Sequence, residues 1–81
     1  MRVRVRLFAR AKDLAGTEAV VVNLQTGSTV GDLRRQLAIE CPALRGLLER
    51  AALAVNDEFV EESLTLLATA DVAVLPPVSG G

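Results

Sequence analysis

The chain has no histidine, tyrosine or tryptophan, and Phe8 and Phe59 are its only aromatic residues. Without histidine, the commonest general base and metal ligand is missing, and neither a Ser-His-Asp nor a Cys-His catalytic arrangement can be assembled. Two aromatics are too few for the stacking platforms that bind single-stranded nucleic acid. No phosphate-binding loop and no dinucleotide glycine pattern occurs. The single cysteine, Cys41, cannot form an internal disulfide, and one thiol without histidine partners makes no zinc site. It reads as a small apolar side chain at a helix end. Apolar runs such as Ala19–Val22 are too short to span a bilayer. Met1-Arg2-Val3-Arg4 lacks the apolar stretch of a secretory signal, so a cytoplasmic location is expected. These absences leave little from which to build a self-sufficient enzyme. No bound metal, resident cofactor, nucleic acid or membrane partner is expected.

What is present suits one small domain. Hydrophobic residues make up 51% of the 81 positions, enough for a core and too many for a disordered chain. The net charge is −1, unevenly distributed. Residues 1–45 hold eight basic residues against four acids, a sum of +4, and residues 46–81 hold Arg50 against six acids, a sum of −5. Solvated faces are the default reading of both clusters, and folding can interleave them.

Arg2 to Leu7 alternates, which predicts a half-buried strand with Val3, Val5 and Leu7 inward and the arginines outward. By the same parity Phe8 belongs on the outer face, as an anchor for a partner. The alternative is a strand that ends or bulges at Leu7 and turns Phe8 inward. Residues 9–16 read as a connection, with Asp13 and Gly16 as turn signals. Residues 17–24 read as a second strand, with Val20, Val22 and Leu24 on one face and Val21 and Asn23 on the other. Thr26-Gly27-Ser28 ends it. Thr29-Val30-Gly31-Asp32 has the form of a capping box with Asp32 in the place of the usual Glu. It opens a helix whose stripe is Val30, Leu33, Leu37 and Cys41 with Ala38 beside them; Arg34, Arg35 and Glu40 lie outside the stripe. Pro42 stops this helix near Glu40 or Cys41. Leu44, Leu47 and Leu48 suggest a short second helix or turn. Leu53-Ala54-Val55 and Phe59-Val60 read as a short hairpin turning at Asn56-Asp57. Leu64, Leu66 and Leu67 fall in a connecting stretch of unclear period. Asp71–Leu75 is the last strand, with Val72 and Val74 on one face and Ala73 and Leu75 on the other.

This order predicts an α+β domain over residues 1–75: a small mixed sheet, one main helix on one face, and the last strand beside the first. That is the β-grasp arrangement of ubiquitin. It leaves the second face of the sheet open, with Phe8 and Leu75 close together there and Phe59 a candidate to join them. Residues 76–81 form an extended tail. Pro76 and Pro77 stiffen it and withhold two backbone donors from any sheet. Val78 and Ser79 lead to Gly80 and Gly81, which can enter a channel too narrow for a Cβ. A frayed terminus is the plain alternative.

Taken together, these segments resemble the small subunit of molybdopterin synthase, in the ubiquitin-like sulfur carrier family. The resemblance spans the whole chain. It rests most on Leu75-Pro76-Pro77-Val78-Ser79-Gly80-Gly81, then on Phe8-Ala9-Arg10-Ala11-Lys12-Asp13-Leu14-Ala15-Gly16, Thr29-Val30 with Leu33-Arg34, and Ala54-Val55-Asn56 with Val60. One departure is Ala68-Thr69-Ala70-Asp71, where the family often has an Asp-Gly-Asp-like turn. The resemblance implies that Gly81 is adenylated by a ubiquitin-activating-like enzyme using ATP. A sulfur donor then converts it to a thiocarboxylate. The sulfur passes to a cyclic pyranopterin precursor inside the large synthase subunit, in a heterotetramer. By matched position, Phe8, Phe59 and Leu75 meet that subunit, and Pro76, Pro77, Val78, Ser79 and Gly80 insert with Gly81. No catalysis is expected from the isolated chain. Three alternatives share parts of this reading: a carrier for thiamine or another sulfur pathway, a modifier joined to lysines through Gly81, and a plain interaction domain. The Pro-Pro stem and Ala54-Val55-Asn56 weigh against the thiamine carriers.

Overall fold

A computed structural model of the chain describes residues 1–75. Its elements run β1 (Arg2–Leu7), α1 (Ala9–Ala15), β2 (Ala19–Asn23), α2 (Val30–Glu40), a 3₁₀ turn (Pro42–Leu44), α3 (Arg45–Leu48), β3 (Ala52–Val55), β4 (Glu58–Phe59) and β5 (Asp71–Leu75). The strands form one five-stranded sheet in the order β2-β1-β5-β3-β4. β5 is central: it pairs parallel with β1 (Val5↔Val72, Leu7↔Val74) and antiparallel with β3 (Leu53↔Val74, Val55↔Val72). The mixed sheet with its helices is the α+β architecture expected.

Alternation decides which face is dry. Val3, Val5 and Leu7 of β1, Val22 of β2, Leu53 and Val55 of β3, and Val72 and Val74 of β5 are all buried. They pack on Val30, Leu33 and Leu37 of α2 together with Leu44, Leu48 and Leu66, while Ala38 and Cys41 flank this core half-buried. No polar or charged residue is buried among the described residues. The predicted helix stripe and strand faces are therefore the observed ones.

Three segments differ from expectation. Residues 9–16 form a helix, not a connection. The segment is rich in alanine, and Gly16 is its left-handed C-terminal cap at φ 74°, whose amide donates to Lys12 O. The turn signal at Gly16 thus marks a helix end, and Asp13 lies within the helix. The chain enters this helix through Ala9 at φ 50°, a left-handed angle that costs an alanine about 1–2 kcal/mol. The return arm of the hairpin is Glu58–Phe59, not Phe59–Val60. Asn56 and Asp57 both have positive φ, 52° and 68°, as a two-residue type I′ turn demands, and that turn sets Val55 opposite Glu58. In the connecting stretch Leu66 is core, whereas Leu64 and Leu67 are exposed.

That stretch anchors α2. The first amides of a helix have no partner within it. Here Val30 N donates to Leu64 O and Gly31 N to Glu62 O, both at 2.9 Å. The capping box is complete: Asp32 N donates to Thr29 Oγ1 at 3.2 Å, and Thr29 N donates to Asp32 Oδ2 at 2.9 Å. Arg34, outside the apolar stripe, is the pin. It donates to both Glu62 oxygens (2.7 and 3.1 Å), to Ala51 O at 2.8 Å and to Leu48 O. One guanidinium thus joins α2 to the connecting stretch and to the entry of β3.

Arg34→Ala removes a 22%-exposed charge that holds a carboxylate and two carbonyls. It should cost about 2 kcal/mol, whereas Arg35→Ala, whose side chain is 71% exposed, should stay within about 0.5 kcal/mol. Urea denaturation with an unchanged slope measures both. A second expectation concerns acid. The backbone hydrogen bond from Thr29 and then its side chain hold the Asp32 carboxyl below its ordinary 3.8; burial opposes them, and Arg35 adds to the lowering. Because the folded value is depressed, this contribution is complete above the unfolded value and is lost as pH falls through the folded one. Asp32→Asn should therefore lower stability at neutral pH and flatten the loss of stability below about pH 4, read from denaturation midpoints across that range.

Candidate docking face

Among the described residues, no helix lies over the face of the sheet opposite α2. Its composition follows from parity and register. Arg6 of β1 stands beside Ala73 of β5, Ala73 beside Ala54 of β3, and Ala54 beside Phe59 of β4. One step further on, Leu75 is opposite Ala52, and Phe8 comes directly after Leu7, the partner of Val74. Small residues therefore form a floor and the two phenylalanines form walls. Arg6, Phe8, Ala54, Asp57, Phe59, Ala73 and Leu75 line a shallow hollow of about 210 Å³. Phe8 is 39% exposed and Phe59 72%, while Ala54 and Ala73 at the floor are buried.

The structure thus brings Phe8, Phe59 and Leu75 together, as predicted. Strand parity holds for Phe8 although β1 ends at Leu7. The left-handed turn at Ala9 swings the chain into α1 and leaves Phe8 extended, at φ −126° and ψ 156°, on the open face. Residues 76–81, including Pro76, Pro77, Val78, Ser79, Gly80 and Gly81, lie outside the described residues. Leu75, from which they continue, stands in the hollow at the end of the central strand.

Arg6 is the member of the site that alternation alone did not single out. Its Nε donates to Asp71 Oδ1 at 3.1 Å, and its terminal nitrogen lies 3.0 Å from Asp71 Oδ2 and 3.6 Å from Asp57 Oδ1. Its guanidinium carbon is 5.5 Å from the centroid of the Phe8 ring, within cation–π range. One side chain therefore steadies the Phe8 wall and ties β1 to the acids of β5 and the hairpin turn. The signal was present in the sequence as charge asymmetry between the halves, but only the parallel register of β1 and β5 shows which partners meet. Next to Arg6, Arg2 and Arg4 continue a basic stripe whose side chains are exposed. A larger cleft, about 680 Å³, lies among α1, the 3₁₀ turn and α3; it holds none of the residues at the root of the tail.

Among the described residues no group of three or more His, Cys, Asp or Glu side chains could hold a metal ion. What the site offers is an apolar, partly aromatic seat rimmed by arginines, at the point where the chain leaves its central strand. With the strand order above, this combination defines a ubiquitin-like β-grasp domain with an open apolar hollow at the end of its central strand. Residues 5–81 match the ThiS family, and the chain belongs to it. It is 31% identical to the molybdopterin synthase sulfur carrier subunit of Arabidopsis thaliana, over 100% of this chain and 84% of that protein. Crystal structures of Haloferax volcanii SAMP1, the small archaeal modifier protein 1, resemble it at TM-score 0.85, one of them with 30% identity over the whole of both chains. A Helicobacter pylori complex of subunits 1 and 2 of molybdopterin-converting factor resembles it at TM-score 0.71 and 27% identity, again over the whole of both chains.

The walls of the hollow should be dispensable for folding. With Phe59 72% exposed, Phe59→Ala should shift unfolding free energy by no more than about 0.5 kcal/mol. Thermal or urea unfolding checks this, and a loss of several kcal/mol would place the ring in the core instead.

Proposed function

We propose that the chain is the sulfur-carrier subunit of molybdopterin synthase, with residues 1–75 as the docking domain and residues 76–81 as the arm that carries the chemistry. The observation that carries this reading is the hollow between Phe8 and Phe59 with Leu75 inside it, in a chain similar along its whole length to sulfur carriers of that name. The likeness to the two-subunit Helicobacter pylori complex supports the large synthase subunit as the partner that the hollow receives.

The chemistry is divided among partners. An oxygen of the Gly81 carboxylate attacks the α-phosphate of ATP in a ubiquitin-activating-like enzyme, and pyrophosphate leaves. A sulfur donor then displaces AMP at the acyl carbon and leaves a thiocarboxylate. In the large subunit, that sulfur attacks the pyranopterin precursor, and hydrolysis returns the carboxylate for another cycle. None of these steps asks this chain for a base, which fits its lack of histidine. ATP is a substrate of the activating partner, and no cofactor resident on this chain is required. A six-residue arm spans roughly 20 Å when extended, enough to enter a neighbouring subunit. Gly80 and Gly81 offer no Cβ to obstruct a narrow channel.

The likeness to Haloferax volcanii small archaeal modifier protein 1 favours a second role on the same chemistry, in which an amine takes the place of sulfur as the nucleophile.

Deletion of Gly81, or addition of one residue after it, should abolish the oxygen-for-sulfur mass change seen after incubation with activating enzyme, ATP and a sulfur source. The unfolding midpoint should not move. Phe8→Ala should retain this loading but bind the large subunit at least about tenfold more weakly, a loss of about 1.4 kcal/mol. Normal loading of the shortened chain would refute the role of the arm, and unchanged affinity of Phe8→Ala would refute the docking face.

A further inference from the structure

β2 stands at one end of the strand order, so one side of its backbone has no neighbouring strand among the described residues. The ladder with β1 shows which of its groups are free. Leu24 N donates to Met1 O at 2.8 Å, the Met1 α-amine donates to Leu24 O at 2.6 Å, and Leu7 N donates to Glu18 O at 2.8 Å. In an antiparallel pair such bonds fall on alternate residues. The even-numbered residues of this segment therefore turn their amides and carbonyls towards β1, and Ala19, Val21 and Asn23 turn theirs outward. The bond from Thr17 Oγ1 to Ala19 O, at 3.2 Å, comes from outside the ladder and agrees; that carbonyl keeps a second lone pair.

Edge strands are ordinarily guarded by charge, proline, a bulge or extreme shortness. β4, the opposite edge, is two residues long and begins with Glu58. β2 has none of these guards: Ala19-Val20-Val21-Val22-Asn23 is uncharged and runs in unbroken register with β1. Apolar side chains along this edge are also left uncovered. Val21 is 43% exposed on the open face, and Val20 is half-buried on the other. Ile39 of α2, 65% exposed, borders a hollow of about 490 Å³ with Asn23, Leu24 and Gln25 along the same edge. None of these residues lines the hollow between Phe8 and Phe59.

We infer that the β2 edge is a self-association surface, occupied by β2 of a second copy in antiparallel register with Val21 opposite Val21. In that register the strand is its own complement. Val21 meets Val21 and Ala19 meets Asn23, so all three outward-facing residues fall in pairs that exchange both hydrogen bonds. A register centred on Val20 or Val22 sets one of the three opposite a residue outside the strand. Val20 meets Val22 between these pairs, and Glu18 comes opposite Leu24, so no charge in the pairing meets its like. The two-fold axis is normal to the sheet. The two sheets become one, and both open faces look the same way, with the two β5 strands about 24 Å apart at the usual strand spacing. The seat between Phe8 and Phe59 stays free in each copy.

The full-length chain tests this by its concentration dependence. Sedimentation from about 10 µM to 1 mM should carry wild type from monomer towards twice the monomer mass. Amide exchange read by NMR over the same range gives the register. The amides of Ala19, Val21 and Asn23 should become protected as the dimer forms, whereas those of Val20 and Val22, bonded to β1, should be protected throughout. Val21→Lys should stay monomeric at every concentration and keep the protection of Val20 and Val22, which shows that it folds. Phe59→Ala should dimerise as wild type does. A monomer at every concentration would overturn the inference and leave the edge to a strand of a different protein. A dimer that survives Val21→Lys and is lost in Phe59→Ala would also overturn it, because association would then run through the hollow. Dimerisation without protection of Ala19, Val21 and Asn23 would refute the strand pairing itself.

Discussion

The pairing of β5 between β1 and β3 is the constraint on which the rest of the molecule depends. A strand that is last in sequence but central in the sheet cannot be laid down by hairpins alone. Its parallel ladder with β1 needs a crossover, and the chain between β2 and β5 supplies it, with α2 lying across the buried face. The same pairing fixes where the chain leaves the sheet. β5 has neighbours on both sides, so the exit at Leu75 is in the middle of the open face and not at an edge. The exposed edges are modest: β4 is two residues long, and β2 is five. An edge strand as short as β4 limits unwanted strand addition.

The crossover is held as much by polar contacts as by apolar packing. Arg34 reaches Glu62, Ala51 and Leu48 at once, and the amides of Val30 and Gly31 are completed by carbonyls of residues 64 and 62. These contacts also answer the charge asymmetry of the sequence. The basic half and the acidic half meet through Arg34–Glu62, Arg6–Asp71 and Arg6–Asp57. Arg2 and Arg4 extend the basic stripe outward from these pairs. A partner that seats on Phe8 and Phe59 therefore meets positive charge next to apolar surface, a pattern that steers association and fixes orientation more than it adds affinity.

Most of this was legible where one periodicity dominates. The alternation of β1 and β5, the capping box at Thr29 and the stripe from Val30 to Cys41 each have a single consistent solution, and parity carried as far as Phe8. It failed where the local signal was shared by two structures. Gly16 ends a helix as readily as it makes a turn, and a seven-residue helix with only Ala11 buried leaves almost no periodic trace. The one-residue displacement of β4 came from the turn, since two left-handed residues at Asn56 and Asp57 determine the pairing of the return arm. Arg34 and Arg6 were invisible as tethers because their partners lie 28 and 65 residues away in the sequence. Long-range ion pairs leave no local pattern.

The alanines of the open face show how folding and docking are kept separate. Ala54 and Ala73 are buried, yet they stand on the side of the sheet away from α2, beneath a hollow walled by Phe8 and Phe59. Larger side chains there would cover more of the sheet and fill the seat. Small ones leave it empty and leave the rings standing. An aromatic ring that is 72% exposed gains little from folding, and exposed apolar surface carries a risk of aggregation. Its presence is explained when its burial occurs in a complex. In the carrier proposed above, a partner seated on the rings would also meet Leu75, the last described residue, in the same hollow. On that proposal affinity belongs to the hollow and reactivity to Gly81, so a change at Phe59, 72% exposed, alters the first without unfolding the domain.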